Sequence, residues 1–347
     1  MAVSSTYLDD ARAALWRQSS FSFIPDRDLP APTDLASPGT GPRVLFAGFP
    51  SDYSLGFLYA LLELDVQLAG IVTSPGAHPA ILAENALSRV ATHLGVPLTR
   101  AWRINDEHSL LSLAETHADA VVMASFDQIV GPRALQLPHH GWLNIHPSLL
   151  PEYRGPEPVY WAIAEGAVRT GITLHRAVPR VDTGPILAQA EVAIAGDDTS
   201  GTLTRKLVEA GIAVLGQALD ALLDGAPGRS PDLTRATYRT SVGHRPLESA
   251  TSAVEAERMV RAGVPNMLAW ATVDGRPAYV RAARLVQNGD AIRAPLLTYA
   301  DGSLELVETA ALCGCHHDAS ECPHRLTGSA GSRRSSVVTA VNSDVEL

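Results

Sequence analysis

Gly141-Trp-Leu-Asn144-Ile-His146-Pro-Ser148-Leu-Leu-Pro151 begins the stretch around which this chain is organised. The stretch ends with Val181-Asp182-Thr-Gly184. If the residues up to His146 end a β-strand, Asn144 and His146 project from the same face, because side chains alternate along a strand. The prolines that follow direct the chain into an irregular loop. A polar pair at the end of a buried strand is where open α/β sheets place their active sites.

These residue types indicate acyl-transfer chemistry. A carboxamide beside an imidazole supplies two donors that could converge on one oxygen and stabilise an oxyanion. The Asp182 carboxylate could orient His146 or assist a proton transfer, although an Asp before Thr-Gly is also an ordinary turn residue. The chain has no Gly-x-Ser-x-Gly elbow, and its cysteines lie outside this stretch, so direct attack by an amine is favoured over a covalent acyl-enzyme.

Several motifs in one order resemble the folate-dependent formyltransferase family. They are Asn144-Ile-His-Pro-Ser-Leu-Leu-Pro151, Tyr153-Arg-Gly155, Gly171-Ile-Thr-Leu-His175 and Asp182-Thr-Gly184, within a resemblance that covers roughly residues 43–223. That family includes methionyl-tRNA formyltransferase, glycinamide ribonucleotide transformylase and the sugar-nucleotide N-formyltransferases. The resemblance implies 10-formyltetrahydrofolate as donor and a primary amine as acceptor. It also implies Asn144, His146 and Asp182 as the catalytic residues.

The fold class predicted is α/β. Arg43 to Gly48 reads as a buried strand, an amphipathic stretch follows, and Val66 to Thr73 reads as the next strand, which together favour a parallel sheet. The turn lacks the Gly-x-Gly-x-x-Gly pattern, which argues against a dinucleotide cofactor. We expect a Rossmann-like open parallel sheet, followed by a smaller, mainly-β, barrel-like C-terminal domain that contains a hairpin at Asp274-Gly275.

Four regions follow along the chain. Residues 1–41 are predicted to be an N-terminal extension and linker, 42–226 the formyltransferase catalytic domain, and 241–312 the small C-terminal domain. Residues 313–347 are predicted to form a Cys/His-rich segment and a disordered tail. The Pro- and Arg-rich stretch from Pro227 to Thr240 reads as an interdomain linker.

The resemblance also implies residues that hold the folate. Phe126, Asp127 and Gln128 follow a predicted strand where the family binds the folate ring, and Arg180 and Val181 lie in a loop on the folate side. A solvent-facing turn is the alternative for the first group. Tyr153 and Arg154 either contact substrate or cofactor or pack within their loop. Glu157 stands where relatives usually have a small or apolar residue, and it could pair with a cationic acceptor or, as we favour, occupy an exposed helix N-terminus.

Charge and composition narrow the choice of acceptor molecule. The 347 residues carry a formal net charge of −10, and Lys206 is the only lysine, which argues against a nucleic-acid partner. We therefore favour the amine of a small molecule, either an amino sugar nucleotide or a specialised metabolite. The alternatives are methionyl-tRNA, hydroxyornithine, hydrolysis of formyltetrahydrofolate, and an inactive folate- or metal-binding regulatory protein. Neither a secretory signal nor a membrane span is recognisable, so a cytoplasmic protein is expected, with an oligomer compatible with the sequence.

One cluster lies beyond the family resemblance. Six potential metal ligands fall close together near the C-terminus: Cys313, Cys315, His316, His317, Cys322 and His324. Four such side chains would suffice for a tetrahedral zinc site, but the spacing matches no standard zinc finger. A reduced thiol cluster is the alternative, and the sequence leaves both open.

Overall fold

A computed structural model of the chain describes residues 13–22, 41–74 and 86–311. The chain folds into two compact units. Of the described residues, the first holds those up to Gly243 together with Arg261–Asn266, and the second holds His244–Val260 and those from Met267 to Ala311. The domain bounds given above from the sequence stay a prediction.

The first unit is built on a seven-stranded sheet with the strand order β3-β2-β1-β4-β5-β6-β7. Strands β1 to β5 are parallel, and β6 runs antiparallel to both of its neighbours. The strand bounds are Arg43–Gly48, Gln67–Thr73, Leu98–Arg100, Ala120–Ala124, Trp142–His146, Arg169–Arg176 and Ile186–Ala193. The predicted Rossmann-like sheet is confirmed, and its continuous apolar strands reflect burial on both faces.

Helices connect and cover these strands. The bounds of α1 to α6 are Asp52–Leu62, Ala86–Leu94, Glu107–Glu115, Pro132–Leu135, Pro158–Ala164 and Ser200–Leu223. Helix α1 begins after Ser51, whose hydroxyl accepts the backbone N–H of Ser54, and α6 begins with a capping box between Thr199 and Thr202. Helix α6 packs against α1 and against β6 and β7, so it covers one face of the sheet at the two strands beyond β5. None of the described helices is long and apolar enough to cross a membrane.

The described part of the N-terminal extension packs onto this unit. Leu15 and Phe21 are buried, and the Phe21 backbone N–H donates to the Gly201 carbonyl at the start of α6. The Ser22 N–H donates to the Asp52 carboxylate at 2.9 Å, and the Asp52 N–H donates to the Ser22 carbonyl at 2.9 Å. Residues 13–22 therefore form part of the packing of α1 and α6.

The stretch interpreted above as an interdomain linker belongs to the first unit. Residues 229–243, here called the strap, are tied to β7 where Arg229 and Ile186 exchange backbone hydrogen bonds. Further along, Tyr238 pairs with Arg154 as an isolated β-bridge. The interpretation as a linker is therefore wrong for most of this stretch, because Pro and Arg content does not reveal backbone pairing with a distant loop.

The second unit contains a four-stranded antiparallel sheet with the order β10-β11-β9-β8. Its elements are α7 at Ala253–Gly263, which ends within the first unit, and β8 to β11 at Ala269–Val273, Arg276–Leu285, Leu296–Tyr299 and Gly302–Ala311. Asp274 and Gly275 have φ values of 50° and 73°, as a two-residue hairpin turn with two left-handed residues requires. The predicted hairpin and the mainly-β character of this region are confirmed.

Candidate active site

Two neighbouring strands bring three polar side chains to one face of the sheet. Asn144 and His146 lie two residues apart on β5, and the antiparallel register places His175 of β6 opposite Asn144. Directly opposite residues of an antiparallel pair project to the same face. His146 and His175 are 6% and 1% exposed, so their ring nitrogens depend on protein partners.

The Asp182 carboxylate joins this group from the loop between β6 and β7. Its backbone is left-handed, with φ 52°, and its side chain is buried. One carboxylate oxygen accepts the Gly155 N–H at 2.8 Å and lies 3.6 Å from Nδ1 of His146. The other accepts from Nδ2 of Asn144 at 3.3 Å and lies 3.7 Å from Nε2 of His175. The structure thus brings together Asn144, His146 and Asp182, as predicted.

The ring of His146 lies between two oxygen acceptors. Its Nε2 is 2.9 Å from the Tyr153 carbonyl oxygen, which can only accept, so Nε2 carries a proton. Nδ1 faces Asp182. Burial lowers the pKa of His146, while the Asp182 carboxylate and the Tyr153 carbonyl oppose that shift. A second proton on this ring would therefore be held at Nδ1, next to the carboxylate.

Asn144 is held by two hydrogen-bond acceptors within the protein. Its Nδ2 donates to Asp182 and lies 2.9 Å from Nε2 of His175. The Nδ1 of His175 is 3.2 Å from the Arg176 carbonyl, which assigns the proton to Nδ1 and leaves Nε2 to accept from Asn144. Both hydrogens of the Asn144 amide thus have partners, and a substrate oxygen has to replace one of them.

Asp182 is ionised at neutral pH. Burial alone would raise its pKa, but His146, His175 and the Gly155 N–H hold the pKa of Asp182 well below its usual range. Asp182 is thus the fixed negative charge at which the surrounding N–H groups converge.

Arg154 fixes the loop that carries Asp182. Its side chain is buried, and its guanidinium donates two hydrogen bonds, at 3.1 and 2.8 Å, to the Val181 carbonyl just before Asp182. Of the two alternatives left open for Arg154, the structure supports packing within the loops.

Glu157 lies at the helix N-terminus that the sequence favours, but it is half-buried there and not exposed. The residue precedes α5 with φ 58°, and its carboxylate accepts the Val242 N–H at 2.7 Å instead of capping α5. Burial raises the pKa of Glu157 to about 7, against the effect of the Val242 hydrogen bond. The sequence could not reveal this partner, because the contact spans the loop and the strap.

The residues predicted to hold folate are placed in two loops. Phe126 packs against the core, Asp127 is exposed, and the Gln128 side chain accepts from the Ile104 N–H and donates to the Ala101 carbonyl. Gln128 therefore braces the neighbouring loop. In the second loop, Arg180 is exposed, and the Val181 carbonyl is engaged by the guanidinium described above. Contact of Phe126, Asp127, Gln128, Arg180 and Val181 with folate stays a prediction.

Sequence reasoning missed three groups of this site. His175 lies in a motif quoted above, but only the β5–β6 register shows that it faces Asn144. The Tyr153 carbonyl and the Gly155 N–H are backbone groups, which side-chain identities do not reveal. The sequence offers one signal for this backbone arrangement, the glycine after Tyr-Arg, because Gly155 has a φ of 90° that favours glycine.

The Cys/His cluster lies outside the described residues. Within the described ranges, no group of three or more His, Cys, Asp or Glu side chains is placed to hold a metal ion. No observation on the described residues supports the zinc alternative.

Comparison with known proteins matches this chain to a family model and to named relatives. The Formyl transferase family model matches residues 65–219. The chain is 34% identical over 269 residues to a methionyl-tRNA formyltransferase of Roseiflexus castenholzii, covering 75% of this chain and 86% of that protein. A methionyl-tRNA formyltransferase of Agathobacter rectalis is 30% identical, over 72% of this chain and 82% of that protein. The prediction that nucleic acid is not a partner gains no support from relatives named for tRNA.

Solved structures give the same fold. A sugar N-formyltransferase of a Shewanella species superposes with a TM-score of 0.54 at 22% identity, over 71% of this chain and 99% of that chain. A sugar 3N-formyltransferase solved with dTDP and 5-N-formyl-THF gives a TM-score of 0.55 at 15% identity, over 77% of this chain and 97% of that chain. At these identities the likeness is one of fold.

Proposed function

Because this chain belongs to the formyltransferase family and is a formyltransferase, we propose that it moves the formyl group of 10-formyltetrahydrofolate to the primary amine of a small acceptor. The predicted family resemblance is confirmed. The observation that carries the mechanism is the convergence of Asn144, His146 and Asp182 at the end of β5. An amide, an imidazole and an ionised carboxylate at one point provide donors for an oxyanion and a route for a proton.

The first step forms a tetrahedral intermediate. The unprotonated amine attacks the formyl carbon, and negative charge develops on the formyl oxygen. Asn144 Nδ2 donates to this oxygen, which takes the place of one of its partners within the protein. His146 donates to the oxygen from Nδ1 once that nitrogen is protonated, while its Nε2–H stays on the Tyr153 carbonyl. The contact of Asn144 with Asp182, at 3.3 Å, is longer than its contact with His175 at 2.9 Å and is the one we expect to be exchanged.

The second step breaks the bond between the formyl carbon and N10. The attacking nitrogen loses a proton, directly or through a water, to the pair formed by His146 and Asp182. Nδ1 of His146 lies 3.6 Å from the carboxylate, so the imidazolium that forms is stabilised where its charge appears. The proton then passes to N10, which leaves as a neutral amine while the acceptor becomes a formamide.

Charge distribution favours a small acceptor. The net charge is −10, and between residues 244 and 311 Asp and Glu outnumber Arg, with no lysine. Two of these arginines are paired with carboxylates: Arg281 with Glu308, and Arg284 with Asp290 and Glu305. Phosphate backbones are bound by clusters of unpaired cations, which supports an amino sugar nucleotide or a metabolite amine over a large RNA.

Methionyl-tRNA is the second candidate acceptor. It is favoured by the curated relatives, since the match covers 86% of the Roseiflexus protein. The two candidates are separated by an assay that supplies 10-formyltetrahydrofolate and tests each acceptor in turn. The acceptors are methionyl-tRNA, a set of amino-sugar nucleotides, hydroxyornithine, and water alone. Formylation of one small amine would support the proposal, and formylation of methionyl-tRNA would replace its acceptor. Release of formate without any acceptor would indicate a hydrolase, and no folate binding would contradict the proposed donor.

A further inference from the structure

The strap runs alongside the loop that follows β5. The Arg154 N–H donates to the Thr237 carbonyl at 2.9 Å, and the Arg239 N–H donates to the Arg154 carbonyl at 2.9 Å. The Thr237 N–H also donates to the Pro151 carbonyl at 3.2 Å. The loop and the strap are therefore paired as a short stretch of two-stranded ribbon at Tyr238 and its neighbours.

Thr237 is linked to the candidate catalytic groups through the backbone of Tyr153. Its hydroxyl oxygen accepts the Tyr153 N–H at 2.8 Å, and the Tyr153 carbonyl accepts from Nε2 of His146 at 2.9 Å. Tyr153 has a φ of 54°, a left-handed conformation that is unfavourable for a bulky residue. Such a residue keeps its conformation only where surrounding contacts fix it.

Further contacts anchor the strap on either side of Thr237. Arg239 forms a bidentate ion pair with Glu165, at 2.6 and 3.1 Å, and Arg235 pairs with Glu152 at 2.6 Å. The guanidinium of Arg239 also lies over the Tyr153 ring, 5.9 Å from its centroid. These ion pairs thus fix the strap on both sides of Thr237.

Gly155 shows how closely the two segments approach. A Cβ at this position would lie 2.5 Å from the Arg239 carbonyl oxygen and 2.8 Å from the Tyr238 ring. The same residue donates its N–H to Asp182. Contact with the strap therefore fixes a second backbone group that binds the candidate catalytic residues.

We propose that Thr237 is a positioning residue for formyl transfer. Its hydroxyl accepts the Tyr153 N–H and so holds the Tyr153 backbone with its carbonyl directed at His146, and the residues that follow present the Gly155 N–H to Asp182. This inference rests on the proposed function, because it assigns to Thr237 an effect on the reaction through His146. Thr237 itself need not touch the folate or the acceptor.

Thr237→Val tests the proposal, because valine keeps the shape and removes the oxygen that accepts the Tyr153 N–H. Thr237→Ser keeps that oxygen and should restore activity. Thr234→Val is the matched control on the same segment: Thr234 is exposed, and its hydroxyl donates to Asp232 in its own turn. The readouts are kcat, KM for 10-formyltetrahydrofolate, the pH profile of kcat, and Tm.

For Thr237→Val we expect kcat to fall by roughly tenfold or more, as the loss of one partly buried hydrogen bond allows. KM for the folate should stay within about twofold, since the hydrogen bonds of Thr237 given above are to Pro151, Tyr153 and Arg154 and not to the residues predicted to hold folate. Losing the hydrogen bond between the Tyr153 carbonyl and His146 lowers the pKa of His146. The limb of the pH profile that belongs to His146 should therefore move to lower pH. The other groups that act on this ring, Asp182, His175 and Arg154, are unchanged in the variant.

Two outcomes would overturn the proposal. One is a Thr237→Val enzyme whose kcat and pH profile match those of Thr234→Val. The other is a Thr237→Ser enzyme as impaired as the valine variant, which would indicate packing alone. If the wild-type chain formylates no acceptor, the proposed function fails separately. The His146 pKa, measured by NMR in wild type and Thr237→Val, then still decides the positioning role: equal values contradict it.

Discussion

Asp182→Asn is the substitution that removes the charge of the candidate site while keeping its shape. The carboxylate accepts from Gly155 and Asn144 and lies 3.6 Å from Nδ1 of His146. An asparagine has one acceptor oxygen, so it can satisfy one side of this arrangement and must turn its NH₂ group towards a donor on the other. The transition state would also lose the charge that stabilises an imidazolium.

The size of the effect follows from the distance. Two unit charges about 4 Å apart interact by about 4 kcal/mol at an effective dielectric constant near 20. Each ~1.4 kcal/mol in the barrier changes the rate tenfold, so we expect kcat to fall by roughly 10³-fold. Since the Asp182 charge raises the pKa of His146, the limb of the pH profile that belongs to His146 should also move to lower pH.

The assay is kcat at saturating 10-formyltetrahydrofolate and acceptor, with folate binding measured by calorimetry. Asp220→Asn, at an exposed position on α6, makes the same chemical change and should leave kcat unaltered. Folate affinity should be similar in all three proteins. An Asp182→Asn enzyme that retains more than about a tenth of the wild-type kcat would refute the charge role assigned to Asp182.

Three further substitutions test other parts of the account. Gly155→Ala should lower the free energy of unfolding by about 2 kcal/mol or more, because its Cβ would lie 2.5 Å from a backbone oxygen; Gly95→Ala, at φ 62° in open space, should cost only about 1 kcal/mol, and denaturant unfolding compares them. Glu157→Gln should raise Tm at pH 8 and leave it nearly unchanged at pH 5, because a carboxyl with a folded-state pKa of about 7 loses stability as pH rises from its unfolded value; equal shifts at both pH values would contradict this. Ser148→Ala should lower kcat by less than about tenfold, since the hydroxyl donates to the Glu152 carbonyl at 2.6 Å within its own loop, and steady-state kinetics would show a larger loss if Ser148 took part in the chemistry.

The central residues could be predicted because local rules govern them. Spacing by two along an apolar strand places Asn144 and His146 on one face, and the ordered family motifs add Asp182. The parallel sheet follows from buried strands alternating with amphipathic helices. The hairpin at Asp274-Gly275 follows from the preference of that dipeptide for left-handed backbone.

The remaining parts of the site depend on contacts between distant segments. His175 faces Asn144 through strand register, and Thr237 reaches Tyr153 across the sequence. Backbone groups supply two of the hydrogen bonds to the candidate catalytic residues, and a sequence carries no signal for the direction of a carbonyl. The preference of acidic residues for helix N-termini favours an exposed Glu157, yet its partner is the Val242 N–H.

The most direct test of the central claim compares wild type with His146→Asn in formyl transfer from 10-formyltetrahydrofolate, using the acceptor that the panel identifies. Binding of 5-formyltetrahydrofolate is measured in parallel by calorimetry. We expect equal folate affinity and a transfer rate that falls on the order of a hundredfold or more. A His146→Asn enzyme that transfers the formyl group at the wild-type rate would contradict the assignment of the site at the end of β5.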